Sequence, residues 1–228
     1  MALNVIIVGP PGSGKGTQAD WLAAARGIPK ISTGDILREA IQAGTQPGLG
    51  AIMDRGELVG DDVMVGIVRR RLQEADARRG FILDGFPRTL AQAEALDKIV
   101  EGHSPLIVIE LAVPDEELFR RMRIRRVCSR CGMNAEPGEA VASVCRRCGG
   151  PLMTRADDSD AAVRARRLQV YARESQPLLD YYRGRPTFRT VDGAERIDRV
   201  AAHLATAIDS AVLGDANPPA RRHVEQQL

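Results

Sequence analysis

Three groups of residues have the types and spacing to do chemistry. The first is Gly9-Pro10-Pro11-Gly12-Ser13-Gly14-Lys15-Gly16-Thr17. Gly9, Gly14 and Lys15 fit the phosphate-binding loop pattern. In that pattern glycines let successive backbone N–H groups converge on a phosphate, the following helix presents its positive end, and the Lys reaches the terminal phosphates. Ser or Thr is expected directly after the Lys, to ligate Mg²⁺; here Gly16 intervenes and the hydroxyl comes at Thr17. A Gly-rich turn with no ligand is the plainer alternative, but a strand before the loop, a helix after it and a correctly spaced Lys favour phosphate. Such a loop implies a nucleoside triphosphate and leaves kinases, GTPases and ATPases all open.

The second group is the four cysteines, Cys128, Cys131, Cys145 and Cys148: two Cys-x-x-Cys pairs separated by thirteen residues. Pairs of this kind converge as a tetrahedral thiolate site for Zn²⁺ or a substituting metal. With four Cys ligands the metal has no open position, so the site is structural, its binding energy folding an insert too small for its own core. The third group is arginine. The chain has 32 basic residues, only three of them Lys, and six Arg fall between positions 120 and 130. A concentrated positive field invites polyanions, while a solvated helix face is the bland reading. His103, His203 and His223 are isolated and suggest no ligand role.

The elements that must position these groups follow from periodicity. Apolar runs at Leu3 to Val8, Phe81 to Leu83, Leu106 to Leu111 and Thr187 to Val191 read as strands. Helix-length connections between them imply parallel pairing, hence an α/β sheet covered on both faces. Helices are expected over 15–26, 34–43, 61–78 and 89–99, with Ser32 or Thr33, Asp61 and Thr89 as N-terminal caps, and a longer one from Ser159 to about Tyr182. The pattern fails between about 128 and 158, where Cys, Gly and Pro crowd together, so an inserted unit is expected there. The stretch after Val212 has neither period nor core residues and reads as a mobile tail.

Composition narrows the classes. The chain has 228 residues, 44% of them apolar, 27% charged and 4% aromatic, enough for one α/β domain with an insertion. A net charge of +2 is too near balance to argue for nucleic-acid binding. No window reaches the roughly 18 apolar residues of a membrane helix, and the first residues lack the pattern of a signal peptide. A cytoplasmic protein is the expectation, with no membrane and no nucleic-acid partner.

Three segments taken in order, Gly9 to Thr17 with its Lys-Gly-Thr ending, Ile31-Ser-Thr-Gly-Asp-Ile-Leu-Arg38 and Phe81-Ile-Leu-Asp-Gly-Phe-Pro-Arg88-Thr89, closely resemble the adenylate kinases. The resemblance runs from about residue 3 to about 212, and Asp-Gly-Phe-Pro-Arg is close to a family signature. It implies a P-loop nucleoside monophosphate kinase fold with a five-stranded parallel sheet flanked by helices and a small metal-binding lid. It also implies the reaction ATP + AMP ⇌ 2 ADP, with Mg²⁺ accompanying ATP and a structural Zn²⁺. Its boundaries would be core at 1–31, a monophosphate-binding segment at 32–61, core at 62–123, lid at 124–161, core at 162–213 and tail at 214–228.

Carried over by the resemblance, Gly12, Ser13, Gly14, Lys15, Gly16, Thr17, Arg121, Arg125 and Glu195 belong to ATP, with Arg121 stacking on adenine. Thr33, Arg38, Glu57, Leu58, Val59, Gly85, Phe86, Pro87, Arg88 and Gln92 belong to AMP, with Arg38 and Arg88 gripping its phosphate and Gln92 reading adenine. Arg155 and Arg166 would clamp phosphates when the lid shuts, so Lys15, Arg88, Arg125, Arg155 and Arg166 form the catalytic set. Asp157 and Asp158 would orient those Arg or cap the next helix, and Asp84 would be an outer-shell carboxylate for Mg²⁺. The chain departs from the family at Ile124, usually Gly, and at Met133-Asn134-Ala135, usually a Thr-Tyr pair touching ATP. The resemblance also implies a monomer. The competing readings are a kinase for another monophosphate or with GTP as donor and, from a different class, a P-loop ATPase whose zinc ribbon binds nucleic acid. Near-neutral charge and the lack of interleaved aromatics disfavour that last one.

Overall fold

The structure, a computed structural model, describes residues 2–44, 48–55, 57–135, 143–155, 158 and 160–214, without the side chain of residue 42. Asp157, half of the spacer between the cysteine pairs and all but the first residue of the expected tail therefore lie outside the described residues.

Strands β1 (Leu3–Val8), β2 (Lys30–Ser32), β3 (Gly80–Asp84), β4 (Leu106–Ala112), β5 (Arg126–Cys128), β6 (Leu152–Thr154) and β7 (Phe188–Asp192) alternate with helices α1 (Lys15–Arg26), α2 (Thr33–Gln42), α3 (Leu49–Asp54), α4 (Asp61–Leu72), α5 (Leu90–Val100), α6 (Asp115–Ile124), α7 (Ala161–Arg183) and α8 (Ile197–Leu213). Five strands form one parallel sheet in the order β2-β3-β1-β4-β7. The other two, β5 and β6, form a separate antiparallel pair within the cysteine insert.

The period of two along β1 explains the layering. Val5 and Ile7 face a core shared with Ile82, Ile107 and Ile109 and covered by Leu22 of α1 and Leu204 of α8. Ile6 and Val8 face the opposite core with Leu83, Val108, Val68, Leu96 and Leu178. Both faces are covered, so the strands read as continuous apolar runs.

Because the sheet is parallel, the C-terminal ends of β1, β3 and β7 open on one edge, where ligands of such sheets gather. Ile7 of β1 pairs with Asp84 of β3, and Ala112 of β4 with Asp192 of β7.

The strand β2 was not legible in the apolar pattern, and the expected helix over 61–78 is two pieces. Helix α4 ends at Leu72, and Ala75–Arg79 forms a 3₁₀ turn. Arg71 holds that bend, donating to both oxygens of Asp76 at 2.9 and 2.7 Å. Two of the expected caps act as such: Ser32 accepts from the Asp35 amide at 3.3 Å and Thr89 from the Gln92 amide at 3.2 Å. Asp61 does not; Gly60 is the cap, and Asp61 turns its carboxylate to Thr89 and Gln92. Asp160 caps α7 through the Ala162 amide. No described helix is long and apolar enough to cross a membrane.

Candidate active site

The loop after β1 wraps a cleft of about 1880 Å³ at the open edge of the sheet. Gly14 caps α1 with φ 96°, and Gly12 has φ 87°. A Cβ on Gly12 would lie 3.1 Å from the Leu118 carbonyl oxygen, so the loop passes too close to α6 for a side chain. Lys15 opens the helix, and its Nζ donates to the carbonyls of Gly9 and Pro10 at 2.6 and 2.9 Å. It is half-buried and lines the cleft. Burial lowers its ammonium to about 7; Asp84 opposes the shift, and Arg88, Arg125 and Arg167 add to it. Ser13 Oγ is buried without a hydrogen-bond partner among the described residues. Thr17 lines the cleft as well.

The Lys-Gly-Thr departure has a steric reason. A Cβ on Gly16 would lie 3.2 Å from Asp84 Oδ2 and 3.6 Å from Asn134 Nδ2. A side chain at position 16 would thus crowd the Asp84 carboxylate at the end of β3.

On the neighbouring wall, Thr33 Oγ1 donates to the Gly85 carbonyl at 3.0 Å, and Arg88 Nε donates to the same carbonyl at 2.8 Å. Gly85, at φ 82°, has a backbone conformation that side-chain-bearing residues rarely adopt, and a Cβ there would press on the Arg88 guanidinium at 3.0 Å. Gln92 is buried, its Oε1 accepting from the Arg88 amide at 2.8 Å while Nε2 donates to Asp61 at 2.7 Å. Thr33, Glu57, Leu58, Val59, Gly85, Arg88 and Gln92 share a small cavity of about 60 Å³, with Arg155 and Arg167 on its far side. Arg38 lines the main cleft and pairs with Asp35; burial favours the protonated acid, yet the guanidinium holds Asp35 below the usual carboxylate range. Pro87 also faces the cleft, whereas Phe86 is 1% exposed and packs into the core beneath, so that side chain does not line the site.

The third wall comes from the start of α7. Asp158, with a fully buried side chain, pairs with Arg125 through one oxygen and with Arg167 through the other. Arg125 and Arg167 line the cleft. Arg155 lines both cavities. Arg166, expected from its spacing after Arg155, lines neither cavity: it is 55% exposed and lies 3.6 Å from Glu57 at the rim of the small one. The cationic position at the cleft belongs to Arg167, one residue on, because the helix turns 100° per residue and only the next side chain faces inward. The phase of α7 carries this signal, since Arg167 shares a face with Val163 and the buried Val170.

The fourth wall is α6 and the loop after β7. Arg121 Nε donates to Glu117 at 2.6 Å, Nη1 to the Gly193 carbonyl at 2.8 Å and Nη2 to the Ala194 carbonyl at 3.1 Å. Glu195 lines the same corner and lies 3.6 Å from His203. Ile124 ends α6 at the hinge to the insert.

In the insert, the sulfur atoms of Cys128, Cys131, Cys145 and Cys148 all lie within 4.8 Å of one another, and none forms a disulfide. Cys128 and Cys148 approach to 3.5 Å, Cys131 and Cys145 to 3.7 Å. Tetrahedral thiolates on one Zn²⁺ have edges of roughly 3.8 Å, so this cradle fits a four-coordinate ion. Asn134 and Ala135, whose role was open, both line the cleft.

The sequence profile of the adenylate kinase family matches residues 7–187. The chain is 49% identical over 216 residues to a protein of Archaeoglobus fulgidus named adenylate kinase, covering 91% of this chain and 98% of that one. It is 48% identical over 213 residues to the adenylate kinase of Methanosarcina barkeri, and 43% identical over 209 residues to that of Rhizobium etli, with at least 89% of this chain and 97% of each relative covered. With a parallel five-stranded sheet, a phosphate loop closing on Lys15 and a four-cysteine insert, the chain belongs to the adenylate kinase family of phosphoryl-transfer enzymes.

Proposed function

We propose that the chain transfers the terminal phosphoryl group of MgATP to AMP, reversibly, giving two ADP. One observation carries this reading: Lys15, Arg88, Arg125 and Arg167, from four separate segments, all line the same cleft. Two nucleotides bring several negative charges together, and the transition state spreads charge over the oxygens of the moving group, so fixed cations are the main requirement.

In this reading an AMP phosphate oxygen attacks the γ-phosphorus, the bond to the β–γ bridging oxygen breaks, and that oxygen keeps the electron pair on the departing ADP. No covalent enzyme intermediate is needed. The phosphate-loop amides from Gly12 to Thr17 cradle the donor phosphates and Lys15 reaches the group in flight, while Arg121 and the Glu195 backbone take the donor base. Arg38 and Arg88 hold the AMP phosphate, and Gln92, with one donor and one acceptor lobe still free, reads its adenine against Leu58 and Val59. Arg125 and Arg167, held by Asp158, meet the moving group, and Arg155 closes from the lid.

Mg²⁺ supplies charge neutralisation at the donor phosphates, with Asp84 as an outer-shell carboxylate. Zn²⁺ on the four cysteines is structural, having no open ligand position. We take the enzyme to be a cytoplasmic monomer, in a compartment reducing enough to keep the thiols free.

The test is a coupled assay for ADP formation from ATP with AMP, GMP, CMP or UMP, and from GTP with AMP. AMP with ATP should exceed every other pair by at least about tenfold, as a site built to hydrogen-bond one base rejects the others. Equal rates across the monophosphates would overturn the AMP assignment.

A further inference from the structure

We infer that Glu117 is a positioning residue for the donor base: its carboxylate fixes the Nε edge of the Arg121 guanidinium, so that the group's plane is set and its flat face is presented to a ligand. This rests on the reading above that Arg121 lies on the ATP side.

An arginine carries five N–H donors in one plane. In Arg121 all three nitrogens are engaged, Nε by Glu117 Oε1 at 2.6 Å and the two terminal nitrogens by the Gly193 and Ala194 carbonyls at 2.8 and 3.1 Å. Three of the five donors are thus used, which fixes the plane of a group that lines the cleft and whose π face suits stacking on an aromatic ring such as a purine. The plane lies beside the phosphate loop, since a Cβ on Gly14 would be 4.0 Å from Arg121 Nη1.

The two carbonyls are themselves fixed. The Gly193 amide donates to Ala112 at 2.8 Å, and the Ala194 amide to Asp192 at 2.8 Å. Glu117 is the charged member of the trio. It lies one helical turn before Arg121, and both side chains are 23% exposed. Its two oxygens also take Arg120, at 2.6 and 2.7 Å. Arg120 first, with Arg121 adding and slight burial opposing, holds the Glu117 carboxyl down at about 2, so it remains a carboxylate through the physiological range.

A merely structural Glu117 would be an exposed i,i+4 helix pair, whose removal changes stability slightly and affinity for neither nucleotide. The test therefore reads base recognition. In Glu117→Ala, KM for ATP should rise roughly three- to tenfold, the span of a lost stacking contact. KM for AMP and kcat should stay within about twofold, and competition by magnesium tripolyphosphate, which has no base, should be unchanged. Glu117→Gln keeps one acceptor for Arg121 Nε and should fall between the two.

Arg121→Ala is the reference variant. If it weakens ATP while Glu117→Ala does not, the positioning role is refuted and the donor-side reading stands. If Arg121→Ala also leaves ATP affinity unchanged, the donor-side reading fails and the inference falls with it. Equal losses for ATP and tripolyphosphate in Glu117→Ala would likewise refute a base-specific role.

Discussion

Arg125 and Arg167 meet across the Asp158 side chain, one on each of its oxygens, and no part of that carboxylate reaches solvent. Their side chains are 20% and 12% exposed, so both cations are held in place before any ligand arrives. Arg167→Ala is expected to lower kcat by roughly 10²–10³, the scale for loss of one fixed donor to developing charge. Arg166→Ala, at an exposed pair 3.6 Å from Glu57, should stay within about twofold. Steady-state kinetics on the two neighbours decides the register, and the reverse order of effects would return the role to Arg166.

The lowered Lys15 ammonium makes nucleotide binding pH-dependent. Its value of about 7 means that the free protein loses this proton as pH rises above 7. Donor phosphates would raise the value again, so between about pH 7 and 10 the complex holds more protons than its components and affinity falls as pH rises. Titration calorimetry in buffers of different ionisation enthalpy should show net proton uptake on MgATP binding at pH 8 that shrinks at pH 6. Lys15→Ala should abolish that uptake and phosphoryl transfer while leaving the melting transition in place. An unchanged proton count in the variant would remove Lys15 from the phosphate site.

Arg88→Ala should separate the two nucleotides. Its guanidinium belongs to the wall built from Gly85, Thr33 and Gln92, and the small cavity there includes none of the phosphate loop. Affinity for AMP should drop roughly tenfold to a hundredfold, as expected for a lost charge-assisted contact, with ATP affinity changed far less. Titrations with each nucleotide alone test this; equal losses would mean the walls are assigned to the wrong ligands.

Removing the metal should loosen the insert and spare the sheet. Among the described residues the insert's apolar core is small, Leu152 with Met133 and Ala135 packed on the cysteines. Cys145→Ser or chelation should lower Tm by roughly 5–10 °C while activity persists in part when cool. Metal analysis should find one zinc or equivalent per chain. A melting curve indifferent to chelation would show that the thiols, not a metal, hold the insert.

Much of the site was legible because it depends on residue types that few other contexts demand. Gly12, Gly14 and Lys15 declare the phosphate loop, and alternation along Leu3–Val8 declares a central strand. The spacing of Cys128, Cys131, Cys145 and Cys148 declares the cluster. What escaped was information held in three dimensions. Lys30–Ser32 is too short to display a period and became a strand only by pairing with β3. Arg164, Arg166 and Arg167 crowd into four positions, and counting from Arg155 could not choose among them, whereas helix phase and the buried Asp158 do. The Phe86 side chain follows the same logic in reverse, since a motif residue beside Arg88 turns inward to pack. Glu117 gave only an ordinary helix-pair signal, and its link to Gly193 needed the fold.

Helix α7 runs 23 residues from the insert at Ala161 to Arg183 against the sheet. Midway, Ser175 Oγ donates to the Arg88 carbonyl at 3.1 Å, and farther on Arg185 grips Asp97. The fourteen residues between Ala161 and Ser175 make an arm of about 21 Å at 1.5 Å per residue. A tilt of about 5° around that serine would move Ala161 by about 2 Å and Arg167, eight residues from it, by about 1 Å. Any tilt of α7 about its hydrogen bond to the Arg88 carbonyl would therefore be felt more strongly at Arg167 than at the serine itself.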